Sequence, residues 1–210
     1  MNDMGDTWTE ALPYNWLQDY IPALEALPHY LLFLTKRPNE MFTFFVDCVG
    51  YVPNNFILGV SVTTRANKNR IANLHSLDMH MQTEGHEPVK TAVSFEPVLE
   101  NGYLPEPLMI DWKENETPIK TTIDWLFLGG QSRQRGKAHS VNLDHFRAVV
   151  EHCRSVGTAV FVKQLGTAWA RKNGCDFKGE NWNTWPEDLR VREVPAFPPI
   201  IRPGTQFSLL

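Results

Sequence analysis

Five short apolar runs, each ending abruptly in polar or charged residues, restrict what this chain can fold into. Residues 31–35 run into Lys36-Arg37, and 57–62 into Thr63-Thr64. Residues 91–95 run into Glu96-Pro97, 125–128 into Gly129-Gly130-Gln131-Ser132, and 159–162 into Lys163-Gln164. Continuous apolar runs bounded by turn signals read as strands buried on both faces. Polar groups gathered at the same end of every run point to one functional face. In parallel α/β sheets and barrels that face lies at the carboxyl ends of the strands.

Helical periodicity fills the intervals. Asn15 can cap a helix carrying Trp16, Leu17, Tyr20, Ile21 and Leu24, which Pro22 should kink or interrupt. Pro38 suits the first turn of a helix with Met41, Phe44, Phe45 and Cys48 on its apolar side. Thr63 or Thr64 can cap a third helix that turns Ile71, Leu74 and Leu77 inward, and residues 78–88 read as a polar loop. The stretch 98–120, rich in proline and acidic residues, has no helical pattern and should wrap the surface in place of a crossover helix. Leu143, Phe146, Val149, Val150 and Cys153 mark a strongly amphipathic helix ended by Gly157. Beyond Trp169 periodicity fades.

Strands alternating with helices specify parallel βαβ units. Five strands are too few for a complete eight-stranded barrel. The fold class expected is therefore α/β, a partial TIM-like barrel of about five parallel strands with flanking helices. It forms one domain over 1–210: a βα core at 1–168, and an irregular tail at 169–210 packed on that core. An open five-stranded sheet is the alternative.

Composition narrows the function classes. A net charge of −4 gives no general attraction to nucleic acid. Local basic groups remain at Arg65, Lys68 and Arg70 and at Arg133, Arg135 and Lys137, and these read first as a solvated helix face and a solvated loop. No run is apolar enough to span a bilayer, and the acidic start of the chain lacks a signal-peptide core, so the expected location is the cytoplasm. Cys48, Cys153 and Cys175 are widely spaced and show no metal-ligand pattern. Cys48 and Cys153 fall on apolar helix faces as buried thiols. His139, His145 and His152 read as surface residues around the helix over 143–156. Trp169, Trp182 and Trp185 read as anchors for the tail.

Glu96 and Lys163 are the candidate catalytic pair. Each directly follows a buried strand, where a carboxylate and an ammonium can exchange protons or grip a polar ligand. A structural ion pair closing the sheet end is the competing reading. Gly129 and Gly130 let backbone approach a ligand, with Gln131 and Ser132 beside them, although no phosphate-loop signature is present. Lys36 and Arg37 can bind an anion. Ser61 and Thr63 offer hydroxyls at the second strand end, and Gln164 completes the ligand-binding set. No residues are assigned to a metal.

Taken in order, LLFLTKRPNEM, FILGVSVTT, VSFEPVLE, IDWLFLGGQS and VFVKQLG resemble a family of phage and prophage proteins related to radical S-adenosylmethionine enzymes. The resemblance covers residues 1 to about 189, with Asn2–Asp6 matching the segment after an earlier barrel strand. Gln131 stands where the family often has glutamate, and Leu165 where it often has tryptophan. The resemblance implies that Lys36, Arg37, Ser61, Glu96, Gly129, Gly130, Ser132, Lys163 and Gln164 line a pocket for S-adenosylmethionine or a substrate. It also implies a [4Fe–4S] cluster held by an upstream cysteine-rich segment that these residues do not contain. The expected protein is thus the C-terminal portion of such a barrel, inactive alone as a radical enzyme unless a missing segment or partner chain supplies the cluster ligands. The alternatives are a non-catalytic ligand-binding or host-interaction protein, and a cluster-free barrel enzyme using Glu96 and Lys163. A sheet left open exposes edges and an apolar face. A second copy, a partner chain or the C-terminal tail is expected to cover it.

Overall fold

The computed structural model of the chain describes residues 6–9, 11–114, 117–133 and 136–200, and for 112–114 and 117–120 the backbone alone. Arg135 and Asn2 to Gly5, named above, lie outside the described residues. The chain opens with α1 (Tyr14–Glu25), β1 (Leu31–Thr35) and α2 (Pro38–Thr43), then β2 (Phe56–Ser61), α3 (Asn69–Thr83) and β3 (Lys90–Phe95). A hairpin of β4 (Met109–Glu114) and β5 (Thr117–Thr122) follows. The core closes with β6 (Trp125–Gly129), α4 (Leu143–Val156), β7 (Ala159–Gln164) and α5 (Thr167–Asn173).

Five strands pair in parallel in the order β1-β2-β3-β6-β7. Each new strand adds on the same side of the one before. Right-handed crossovers then carry every connection over one face of the sheet. Side-chain alternation shows the result. Leu58, Val60, Val93, Phe95, Leu126, Leu128, Val160 and Val162 are buried with Phe44, Phe45, Ile71, Leu74, Phe146 and Val149 from the helical connections. The opposite row holds Leu32, Leu34, Ser94, Phe127 and Phe161, which line an open cleft. Burial on both faces was expected, yet Leu32, Leu34, Phe127 and Phe161 are only half-buried. Among the described residues, α-helices cover one face alone.

Several local elements differ from their sequence patterns for identifiable reasons. Helix α1 is continuous through Pro22, which sits in its last turn, and only Leu17 and Ile21 are buried. Trp16 and Tyr20 point outward and stack on each other at 4.8 Å. After α2 the chain continues as a π-helical segment, Phe44–Val49, that turns both Phe44 and Phe45 inward and ends at Gly50 with φ 82°. No helix occurs between Phe95 and Trp125 among the described residues, as the proline content implied, and the β4–β5 hairpin occupies that interval. His75 ties α3 to it. Its Nε2 donates to the Pro107 carbonyl at 2.9 Å, and Nδ1 takes the Thr121 hydroxyl at 2.5 Å. Burial lowers the His75 pKa, so the neutral ring serves both bonds.

Residues 78–88 do not form a loop throughout, because α3 continues to Thr83 with Asp78 and Met81 buried. The Asp78 carboxylate accepts from the Val89 amide at 2.8 Å and from Gln82 Nε2 at 3.1 Å, fixing the entry to β3. Burial pushes its carboxyl up to about 6 despite those bonds. A carboxyl raised on folding keeps its proton more tightly in the native state, so its contribution to stability falls as pH rises from about 4 to about 6. Asp78→Asn retains an acceptor for Val89. It is expected to gain about 2 kcal/mol relative to the parent between pH 4 and pH 7, read from urea unfolding at both values. An unchanged difference between parent and variant across that range would contradict this.

The fourth helix follows its pattern closely. Asn142 caps α4 through the Asp144 amide, Gly157 ends it at φ 84°, and Phe146, Val149, Val150 and Cys153 are buried. Burial drives the Cys153 thiol up to about 12, which makes it inert packing. His145 is not a surface residue: it is buried, its Nδ1 accepts from the Gly102 amide at 3.3 Å, and its ring meets Phe95 edge-on.

The C-terminal segment closes one sheet edge. The Val162 amide donates to Val191 O and the Glu193 amide to Val160 O, both at 2.8 Å, with Phe161 opposite Arg192 in an antiparallel bridge. Trp185 is buried and Trp182 packs against the core, so the tryptophans do anchor this segment. Further on, Tyr30 donates to Pro198 O and its ring packs on Phe197, which brings the tail to the start of β1. No helix of the described residues is long and apolar enough to cross a membrane.

Candidate functional site

Three strand ends converge on one constellation. Glu96 directly follows β3, Gly129 ends β6, and Lys163 and Gln164 end β7. The pairing of β6 with β7 slips here: Leu128 faces Val162, but Gly129 faces Gln164. Lys163 is the extra residue of that irregularity, and bulges of this kind re-aim side chains beside functional sites. Lys163 Nζ lies 3.1 Å from Glu96 Oε2. Gln164, itself buried, donates from Nε2 to Glu96 Oε1 at 2.8 Å and to Gly130 O at 3.0 Å. Both carboxylate oxygens are therefore held, and the Glu96 side chain keeps 15% exposure against 58% for Lys163.

Two glycines allow this convergence. A Cβ at Gly129 would stand 2.9 Å from Glu96 Cδ, and one at Gly130 would stand 2.4 Å from the Leu165 carbonyl oxygen. The first obstacle is a side chain that can swing away; the second is backbone. Gly129→Ala is therefore expected to cost about 1 kcal/mol or less in stability while displacing the Glu96 carboxylate from Gln164. Thermal unfolding together with the Gln164 side-chain amide NMR signals checks this. An unmoved Gln164 signal would contradict it.

The constellation stands at the mouth of a cleft of about 590 Å³ on the helix-free face. Leu32, Leu34, Phe127 and Phe161 form its apolar floor, and Ser94, Glu96, Lys163, Glu180 and Arg192 supply its polar groups. Two carboxylates balance two cations. Such a lining suits a ligand with an apolar body and charges of both signs, within the usual size of small-molecule sites.

The other sequence candidates lie elsewhere or hold the loops. Thr35 donates to Asp6 Oδ1 at 2.6 Å, the Lys36 amide to Asp6 Oδ2 at 2.8 Å, and Arg37 Nη1 lies 3.5 Å from the same oxygen. Lys36 and Arg37 thus belong to a cluster around Asp6 that closes the end of β1. Ser61 uses its carbonyl to accept from Arg70 Nη1 at 2.6 Å. Thr63 Oγ1 donates to Asn67 Oδ1 at 3.1 Å, bracing the turn before α3 instead of capping it through backbone. Gln131 Oε1 takes the His139 amide at 2.9 Å, and Ser132 is exposed in the same loop. Of the basic groups, Arg65 pairs with Glu100 at 3.6 Å and Arg133 donates to Lys137 O at 3.1 Å.

Sequence reasoning did not single out Asp6, Ser94, Phe127, Phe161, Glu180 or Arg192. Strand alternation places Ser94, Phe127 and Phe161 in one row, and their register confirms it. Nothing in the proline-rich tail signals that Arg192 returns to β7.

Metal chemistry finds no ready ligand set here. No three His, Cys, Asp or Glu gather as candidate metal ligands among the described residues. Cys153 is sealed in the core, and Cys48 and Cys175 are only partly buried. The three thiols do not fit a [4Fe–4S] cluster, which needs several thiolates around one centre.

No curated protein and no solved structure matches the chain. One family does, described as a protein family of unknown function, DUF5131, and it matches residues 1–186. That stretch contains all five strands of the parallel sheet together with Glu96, Lys163 and Gln164, and the chain belongs to this family.

Proposed function

We propose that the helix-free face of the sheet binds a small zwitterionic molecule, with Glu96, Lys163 and Gln164 as its polar grip. The observation that carries this reading is a charge-balanced polar cluster at the mouth of a cleft with an apolar floor. S-adenosylmethionine is the first candidate, because the strand-end motifs resemble radical S-adenosylmethionine proteins and because it joins a flat base, through a sulfonium, to a zwitterionic amino-acid head. The base would lie on Phe127 and Phe161, and the head would meet the charged rim. The sequential strand order supports the further reading that the sheet is an arc of a parallel barrel, with a further chain or segment able to extend it at β1.

The role of these residues is to bind and orient. Glu96 offers a carboxylate already fixed by Gln164, so little reorganisation is needed to receive an ammonium. Lys163 is engaged with Glu96, which favours electrostatic binding over attack by a free amine. No radical step is assigned, since these thiols do not fit the cluster that such chemistry requires.

Calorimetric titration of the full chain with S-adenosylmethionine tests the reading. One-site binding in the micromolar range supports it, and the absence of heat at millimolar ligand overturns it for this molecule.

A further inference from the structure

Arg192 is the one cation lining the cleft that has no ion pair among the described residues. Its guanidinium sits over Trp182 at 4.8 Å, Phe161 at 5.3 Å and Trp185 at 5.6 Å, measured to the ring centroids. No hydrogen bond or ion pair joins it to another described residue. Lys163, by contrast, is engaged by Glu96, and Glu180 lies 3.9 Å from Lys178.

Its placement follows from the backbone. Residues 191–193 run antiparallel to β7, so their side chains alternate across the sheet. Val191 is buried in the core on the helical side. Glu193 turns the same way, receiving Arg154 Nη2 at 2.7 Å and the Val160 amide at 2.9 Å. Arg192 must then face the cleft, where it is one of the lining residues. Glu193 and Val191 are the anchors; Arg192 is what the anchoring delivers.

We propose that Arg192 is the carboxylate-recognising residue of the cleft. Aromatic faces restrain the guanidinium without consuming its donors, leaving a planar fork for bidentate recognition. Two carboxylates, Glu96 and Glu180, line the same cleft. They oppose a doubly charged phosphate and accept a singly charged carboxylate that carries its own amine. The occupant is thus a ligand with an apolar body and a terminal carboxylate. The segment that supplies Arg192 lies outside the stretch matched by the family, residues 1–186.

This inference rests on the cleft being a small-molecule site, but not on S-adenosylmethionine being its occupant. The test compares phenylalanine with phenylalaninamide, which share a ring and an amine and differ in the carboxylate. The full chain is titrated with each, following the Arg192 Nε–H signal by NMR. The carboxylate is expected to bind about tenfold more tightly than the amide and to move that signal. In Arg192→Gln, the preference should fall to about one. Equal affinities in the parent would overturn the proposal, as would a carboxylate preference that survives in Arg192→Gln. Should Arg192→Gln fail to fold, the parent's preference and the Arg192 signal still decide. A carboxylate preference without S-adenosylmethionine binding sustains the role of Arg192 and removes that ligand. S-adenosylmethionine binding with an unmoved Arg192 signal does the reverse.

Discussion

Phe95→Ala is expected to destabilise the protein by about 3–5 kcal/mol, measured as a shift in the urea midpoint at constant slope. Phe95 is fully buried at the end of β3, on the helical side of the sheet. Its ring meets Tyr103 at 5.8 Å and His145 at 6.1 Å, both nearly perpendicular. Tyr103 comes from the irregular stretch after β3 and His145 from α4. Truncation therefore opens a cavity where three parts of the structure meet, and the lost edge-to-face contacts add to it. Because Phe95 directly precedes Glu96, the same change should loosen the carboxylate's position. Phe95→Leu keeps most of the volume and should cost less than half as much. A loss below about 1 kcal/mol for the alanine variant would show that this junction is not the tightly packed support of the site that its burial indicates.

Glu96→Gln carries the second large effect, on binding. The amide keeps an acceptor for Gln164 but removes the charge that faces Lys163 and would receive a ligand ammonium. Hydrogen bonds to charged groups contribute about 1.5–3 kcal/mol, so affinity for a zwitterionic ligand should fall about 10- to 100-fold. Lys163→Met should also weaken binding, by less, because Lys163 is more than half exposed. The double variant should lose less than the sum, since the two groups share one ion pair. Calorimetry on the three variants reads all of this. Affinity unchanged by Glu96→Gln would reduce the pair to a structural clasp at the sheet end, the reading that the sequence left open for it.

The strand ends were legible because apolar runs stop abruptly where backbone leaves the sheet, and Glu96, Gly129, Lys163 and Gln164 do meet there. Helix α4 was legible because one apolar stripe, Phe146 to Cys153, packs against the sheet with a glycine to end it. Which sheet face stays open was not legible. Phe127 and Phe161 are as apolar as Leu126 and Val160, and only the direction of the crossovers separates them. The length of α3 was hidden for a different reason: Asp78 reads as a loop residue until its bond to the Val89 amide is seen. Arg192 was hidden because its position depends on pairing with Phe161, about thirty residues earlier, which no local pattern encodes.

The helix-free face is the proposed binding site. Backbone amide NMR of the full chain, titrated with S-adenosylmethionine, addresses this directly. Shifts are expected to concentrate at Leu32, Leu34, Ser94, Glu96, Phe127, Phe161 and Lys163, with the helical face around Leu74 and Val149 unmoved. Shifts centred on the helical face, or none at saturating ligand, would contradict it.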